Sequence, residues 1–588
     1  MNPQQKRLRK SGIYGVIHLD GSPLDRAAAA VLGLAVPIDP GAALVEAVDP
    51  QCSGAVHRFD ADASLTVLAG ELDEPAELAA SLGLPPGTAH GELARAALTR
   101  FGDELPAEML GEWSLLHWNR HGGVTAALSA GRRDPMLYAL AGRRLAVAPD
   151  IYRLGRIAWI GNEIDAAGML FAVARTEVRA GTDGRTINPR VRELAPGTTL
   201  HVAADGSCRL ATANILPVQP HFRGSLADAL TQTETILRRT VRTRLERTAK
   251  PAVLLSGGLD SSLLAWLLSA ERVGGQQVVA ITSVAPAASG LPDEHAFAAG
   301  AADALGLELI DAAPTDDLET FRPSPAILSG ANGPTLGNRH CLTESFQRQA
   351  QAHGVSLLVN GSYGELTATL RLGGNPALAA LRHLAGSVRR GIPGQGLPQL
   401  SPFHVQLAPH LMADLPKPIR SAMDARPDLT STGHDRTRWG YHPGAWKALS
   451  HANEFHAGAL RMDFPFRDLR LLRFFAGLPR DLLREPRYDR RPARVILEGH
   501  LPDSIRLRRS GMPAAPDHLV RMQWQAPQAR TRRSVWLKAG ADEWLDLDWL
   551  DAALARCAAQ GVASHAEANV LQLTAIMAEY LVWLRRIG

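Results

Sequence analysis

Apolar and polar positions follow two rhythms along the 588-residue chain. In the first two hundred or so residues, short segments alternate or run apolar between turn residues. Residues 11–17 read as a strand opening on a glycine, and residues 111–118, 123–128 and 144–148 read as three more. The alanine-rich stretch 87–101 carries helical spacing, so this part is α plus β. Near 212–224 the rhythm stops, and Pro217 and Pro220 mark a linker. An amphipathic helix is predicted from Ser225 to Lys250. Next come three short apolar strands, at 252–255, 278–283 and 356–360, with helical segments between them. Strands alternating with helices predict a parallel sheet covered on both faces. Beyond about residue 370 the pattern is mostly helical. The reading is a two-domain α/β chain, divided as 1–215 and 216–588.

The string Ser256-Gly257-Gly258-Leu259-Asp260-Ser261-Ser262 stands where a predicted strand gives way to a helix. Open α/β sheets bind ligands at that end of their strands. Two glycines let backbone amides approach phosphate oxygens closely, and the helix start adds partial positive charge. Ser256, Ser261 and Ser262 supply hydroxyls, and Asp260 can hold a magnesium ion. A glycine turn whose serines and aspartate merely cap a helix is the plain alternative. The complete string in this setting favours a phosphate loop.

The string resembles the pyrophosphate loop of the asparagine synthetase family, and lacks the Gly-Lys-Ser/Thr ending of a Walker loop. Four further segments fall in family order: Asp293-Glu294 with Phe297-Ala298, then Asn360-Gly361-Ser362-Tyr363-Gly364-Glu365, then 463–474, and finally Arg494, Leu501-Pro502 and Arg508. The resemblance implies ATP cleaved between its α and β phosphates to give an acyl-adenylate. It places nucleotide contacts at Leu255, Ser256, Gly257, Gly258, Asp260, Ser261, Ser262, Ser283 and Gly361. It places magnesium on Asp260 and Glu365, the latter one methylene longer than the family's aspartate. It also implies an adenine nucleotide alpha-hydrolase-like synthetase domain with a helical C-terminal part.

The first domain resembles the family's glutaminase half through Ser11-Gly12-Ile13-Tyr14-Gly15, Arg133-Asp134-Pro135-Met136-Leu137-Tyr138 and Ala146-Val147-Ala148-Pro149-Asp150. The implied fold is an αββα sandwich of the N-terminal-nucleophile type. That chemistry needs a cysteine with a free α-amine. Here serine stands at position 11 with ten residues before it, so no glutaminase activity is expected. The attacking amine then belongs to the substrate.

Two relatives work this way. The lasso-peptide cyclases join an Asp or Glu side chain of a linear core peptide to its N-terminal amine. The β-lactam synthetases close a ring within a small amino acid. Chain length favours the first, as does Ser362, which stands where β-lactam enzymes carry tyrosine. The catalytic candidates are Glu454 as base, Arg508 as a clamp for pyrophosphate or adenylate, and Tyr363 as the displaced tyrosine. Arg509 shares the clamp reading, and Ser510 stands where the family has a lysine. The arginine-rich C-terminal part could line a peptide groove. The resemblance implies a leader peptidase and a leader-binding protein as partners. An amide or lactam synthetase acting on a small molecule, ammonia-dependent asparagine synthetases included, stays open. So does a non-catalytic peptide-binding scaffold.

Composition changes little. A formal charge of +4 on this length leaves no electrostatic footprint for nucleic acid, and no segment is long and apolar enough for a bilayer. Residues 1–10 form a short basic arm without the apolar stretch of a signal peptide. Cys52, Cys208, Cys341 and Cys557 are widely spaced, which predicts neither a disulfide framework nor a zinc site and suits the reducing cytoplasm.

Overall fold

The computed structural model describes residues 10–35, 43–48, 56–61, 64–120, 123–131, 134–174, 184–216, 221–286, 289–334, 337–370, 403–424, 460–483, 489–508, 511 and 515–587. Glu454, Cys52, Arg133, Arg509, Ser510, the linker prolines and most of the basic arm lie outside them.

Eleven strands form the N-terminal part: β1 (Gly12–His18), β2 (Ala43–Val48), β3 (Val56–Ala61), β4 (Ser64–Leu72), β5 (Gly111–Asn119), β6 (Gly123–Leu128), β7 (Met136–Ala141), β8 (Arg144–Ala148), β9 (Arg192–Leu194), β10 (Thr198–Val202) and β11 (Cys208–Thr212). They pair antiparallel in two sheets, ordered β2-β1-β8-β7-β9 and β11-β10-β6-β5-β4-β3. Alternation assigns each side chain to a layer. Ile13 and Ile17 of β1 point inward and meet Val67, Leu116 and Leu200 between the sheets. Tyr14 and Val16, on the opposite face, pack beneath the helices Arg26–Leu32, Ile151–Gly155 and Ala166–Val173. Leu68 and Leu115 pack under the helix His90–Phe101. The layer order is therefore helix, sheet, sheet, helix. Strands covered on both faces explain why β1 reads as almost continuously apolar.

The helix Leu226–Leu245 opens the second part and stops five residues short of the expected end. A reciprocal cap starts it: the Asp228 amide donates to the Ser225 hydroxyl at 3.2 Å, and the Ser225 amide donates to the Asp228 carboxylate at 2.8 Å. The parallel sheet that comes next has five strands, β12 (Pro251–Leu254), β13 (Val279–Ser283), β14 (Glu308–Ala312), β15 (Leu357–Val359) and β16 (Arg461–Asp463), ordered β14-β13-β12-β15-β16. The apolar pattern predicts only three of these. β14 and β16 are short and carry charged residues, which hides their periodicity. The helix Leu259–Ala270 is buried nearly all round, as a helix packed inside a core requires.

The C-terminal helices His518–Arg530, Leu547–Gln560 and His565–Ile587 share one core with the N-terminal sandwich. Met522, Leu554, Tyr580 and Trp583 join Tyr14, Val16 and Phe171 in it. The Tyr152 and Tyr580 hydroxyls meet at 2.9 Å across this contact. Three arginines of this region pair with neighbouring acids: Arg521 with Asp517 at 3.0 Å, Arg530 with Asp551 at 3.0 Å and Arg532 with Glu579 at 2.6 Å.

A second contact joins the two parts through charge. The buried Arg244 guanidinium reaches Asp73 at 2.9 Å, Asp463 at 3.0 Å and Asp468 at 3.3 Å. Arg247 adds a 3.0 Å bond to Asp73, and Arg470 a 2.6 Å bond to Asp468. Burial alone would push the Asp468 carboxyl up. The bonds and charges of Arg470 and Arg244 overcome that and hold it at about 2. Among the described residues no helix is long and apolar enough to cross a membrane, and Cys208, Cys341 and Cys557 are free thiols.

Candidate active site

In the parallel sheet, β12 lies between β13 on one side and β15 on the other. The chain first builds outward from β12 through β13 to β14, then returns to add β15 and β16. Sheets of this kind bind ligands at the carboxyl ends of the strands at such a switch, where the loops leaving β12 and β15 lie side by side. This topology brings 255–262 and 360–365 together, although about a hundred residues separate them in the chain.

The β12 loop needs the first of its two glycines. Gly257 holds a left-handed φ of +67°. A Cβ there would stand 2.5 Å from Phe297 Cβ and 2.6 Å from the Phe297 carbonyl carbon. Gly258 caps the helix Leu259–Ala270, and no side chain hydrogen-bonds the first amides from that position. The loop is tied by its own serines. The Ser256 amide donates to Ser261 Oγ at 3.2 Å, and the Ser261 hydroxyl lies 3.1 Å from the Gly258 carbonyl. The Ser262 hydroxyl is buried with no hydrogen-bond partner among the described residues. The Leu255 amide, bonded to the Ile281 carbonyl at 2.8 Å, carries the β13 ladder up to the loop. Ser283 ends β13 on the same side.

The β15 loop closes against Asp260. A Cβ on Gly361 would stand 3.0 Å from the Ser261 nitrogen, and one on Gly364 would collide with the Asp260 carboxylate. Thr369 donates its hydroxyl to Asp260 Oδ1, and Arg490 Nη1 lies 3.4 Å from Oδ2. Glu365 follows Gly364 in a single 3₁₀ turn (Gly364–Leu366). Its side chain reaches solvent, yet the surrounding walls push its carboxyl up. The Asp260 charge pushes the same way, against a pull from its own backbone and Arg490. Two carboxylates that repel each other across a glycine-lined loop are a donor set suited to a divalent cation shared with phosphate oxygens. Asp260 and Glu365 would hold magnesium, and the amides and hydroxyls of 256–262 would hold the phosphates.

The other predicted residues are placed around these loops. Tyr363 has a left-handed φ of +73°. Its ring meets Phe464 edge-on at 5.4 Å and lies 5.1 Å beneath the Arg467 guanidinium. Arg508 stacks on the Phe297 ring, 3.8 Å from its centroid, and pairs with Glu294. Phe297 in turn abuts Gly257, so Arg508 flanks the loop with its charge held by an acid. Asp293 is a backbone cap, accepting from the Ala285 and His295 amides at 3.0 Å each. Arg494 is buried and donates to the carbonyls of Asp489, Arg506 and Arg508, at 2.9, 2.5 and 3.0 Å. Thr369 and Arg490 are not among the residues the sequence points to. Thr369 carries no signal, and Arg490 sits in an arginine-rich run.

At the other end of the chain, Ser11 precedes β1 with its nitrogen in the peptide bond from Lys10. Lys10 is fixed there. Its ammonium donates to Asn332 at 2.8 Å and its carbonyl accepts the Tyr14 hydroxyl at 3.1 Å.

Residues 232–416 match the family described as asparagine synthase, whose members are ATP-dependent ligases that form carbon–nitrogen bonds and typically use Mg²⁺. No curated protein matches the chain. Three solved structures overlap it loosely. The glutamine phosphoribosylpyrophosphate amidotransferase of B. subtilis, complexed with ADP and GMP, is 11% identical over 60% of this chain and 76% of its own, with a TM-score of 0.22. The U34-tRNA thiolase NcsA of Methanococcus maripaludis, with its 4Fe–4S cluster, is 15% identical over 39% and 82%, with a TM-score of 0.20. An allosteric regulatory enzyme of purine biosynthesis is 12% identical over 54% and 77%, with a TM-score of 0.23. Overlaps this loose establish neither a shared site nor a shared activity.

Proposed function

We propose that this chain is an ATP-dependent carbon–nitrogen ligase that activates a carboxylate as its acyl-adenylate. The observation that carries the reading is the meeting of the Gly257-Gly258 turn, Asp260 and the Gly361–Glu365 loop at one switch point. The amides of 257–258 and the helix start bind and orient the triphosphate. Bound magnesium supplies charge neutralisation on the phosphates. A carboxylate oxygen attacks the α-phosphorus, and the bond to the bridging oxygen breaks with its electron pair leaving on pyrophosphate. An amine then attacks the acyl carbon, AMP departs, and the amine's extra proton passes to a base. Arg508, beside Phe297, suits the leaving phosphate because a guanidinium binds charge without surrendering its proton.

The finer reading is macrolactam formation on a linear lasso-type core peptide, its N-terminal amine attacking its own Asp or Glu side chain. Two features support it. Ser11 stands where the resemblance puts the nucleophilic cysteine, and its nitrogen is acylated by Lys10, which favours an amine other than ammonia from glutamine. An amine held in the same molecule as the acyl group gains the advantage of proximity. A leader peptidase and a leader-binding protein belong to this proposal, as does a cytoplasmic setting.

The test is to incubate the chain with ATP, Mg²⁺ and a linear core peptide, following nucleotide products and peptide mass. AMP and pyrophosphate with a peptide lighter by one water are expected. Turnover only with a small amino acid or with aspartate and ammonia would move the reading to a small-molecule synthetase. ADP with orthophosphate would refute adenylation. No nucleotide turnover with any carboxylate would leave a binding scaffold.

A further inference from the structure

Strand β3 is an edge of the six-stranded sheet, and one of its side chains reaches the covering helix. His57 stands opposite Leu68 in the β3–β4 register, so both point to the face that the helix His90–Phe101 covers. The first residue of that helix is His90. Its Nδ1 lies 3.1 Å from His57 Nε2, with ring centroids 4.4 Å apart and planes tilted by 53°.

Two imidazole nitrogens this close leave room for one hydrogen between them, not two. Burial lowers the pKa of both rings. The His90 charge adds to this at His57, and the Arg247 charge at His90, while Glu71 opposes in each case. The neutral imidazole so favoured is the form that binds metals. A neutral ring can carry its hydrogen on the far nitrogen, which leaves both facing nitrogens as donors. Two nitrogens each about 2.0 Å from a tetrahedral zinc ion stand about 3.3 Å apart. The rings already hold nearly that bite.

We propose that His57 and His90 bind a zinc ion that pins edge strand β3 to the helix His90–Phe101. Among the described residues no group of three or more His, Cys, Asp or Glu side chains could hold a metal, so water completes the shell. Both rings are partly open to solvent. Glu71 supplies counter-charge: its side chain is 16% exposed and lies 3.8 Å from Arg247 and 4.0 Å from Arg461, long for ion pairs. Donor chemistry separates this site from the one at Asp260, since imidazole favours zinc and carboxylate oxygen favours magnesium. An edge strand has a free side, and a metal bridging it to a helix acts as a cross-link. The site lies in the N-terminal sandwich and is independent of the function proposed above.

The test is calorimetric titration of zinc into the full chain in excess Mg²⁺, beside His57→Gln and His90→Gln. Removing one of two tethered ligands should weaken the site by roughly a hundredfold, so each variant should lose one zinc site. Zinc should raise the melting temperature of the wild type more than that of either variant. On wild-type protein, zinc should also block modification of His57 and His90 by diethyl pyrocarbonate, mapped by mass spectrometry. That measurement needs no variant, so a folding defect cannot imitate its result. Equal zinc binding by the wild type and both variants would overturn the proposal, as would unchanged modification of the two histidines in zinc.

Discussion

At the start of β1, Gly12 holds a φ of +139° and packs on Pro149. At the end of β12, Gly257 holds +67° and packs on Phe297. Each glycine marks where a strand meets a turn in a sheet covered on both faces, and each lies beside a serine. The β1 turn is closed by other parts of the chain. Asn332 takes the Lys10 ammonium and donates to the Pro149 carbonyl at 2.9 Å, and the Ile151 amide bonds it at 3.2 Å. The β12 turn keeps a helix start with no side-chain cap, a buried Ser262 hydroxyl without a partner among the described residues, and two carboxylates at its edge. Under the proposed function, fold and chemistry separate between the two turns. Alternating burial maintains the sandwich whether or not its turn can react, and a few side chains decide the rest.

Changes at the two turns should have very different consequences. Asp260→Asn removes the carboxylate on which the two loops converge. It should lower pyrophosphate release by about a hundredfold to a thousandfold, measured by a coupled phosphate assay. Near-normal release would remove Asp260 from the metal role. Cutting the charged seam comes next. Asp73→Ala leaves Arg244 buried with one acid fewer, and should cost about 3 kcal/mol of stability in denaturant unfolding. A loss under roughly 0.5 kcal/mol would show the seam to be incidental.

Acid probes the same seam without mutation. Asp468 is held at about 2, against an ordinary value of 3.8. A depressed carboxyl contributes stability that is fully present above the ordinary value and lost as pH falls through the lowered one. Stability should therefore drop by on the order of 2 kcal/mol between about pH 4 and pH 2, and Asp468→Asn should flatten that limb. The smallest effect is expected at β1. Ser11→Ala should leave pyrophosphate release and melting temperature unchanged within error, and a marked fall in release would reopen a catalytic role for that serine.

The β12 loop is legible in the sequence because its glycines, serines and aspartate are consecutive, and adjacency in the chain is adjacency in space there. The β15 loop is legible for the same reason, with Gly361 and Glu365 four residues apart. Arg490 is not, because its approach to Asp260 depends on Arg494 fastening two distant turns. Arg508 stands out by its charge, but nothing in the chain pattern pairs it with Glu294, more than two hundred residues away. β16 has three residues, two of them charged, and is a strand only because β15 lies beside it. The partners of Arg521, Arg530 and Arg532 are not legible either, because sequence reports charge and hides what meets it. Asp517, Asp551 and Glu579 take that charge up.

Tyr580 and Trp583 lie in the same apolar cluster as Tyr14 and Val16. A chain emerging from the ribosome makes β1 more than five hundred residues before the helix His565–Ile587. The outer layer over the first sheet must therefore wait, partly bare, while that intervening chain is synthesised. The helix acts as a late seal on a sheet made long before it.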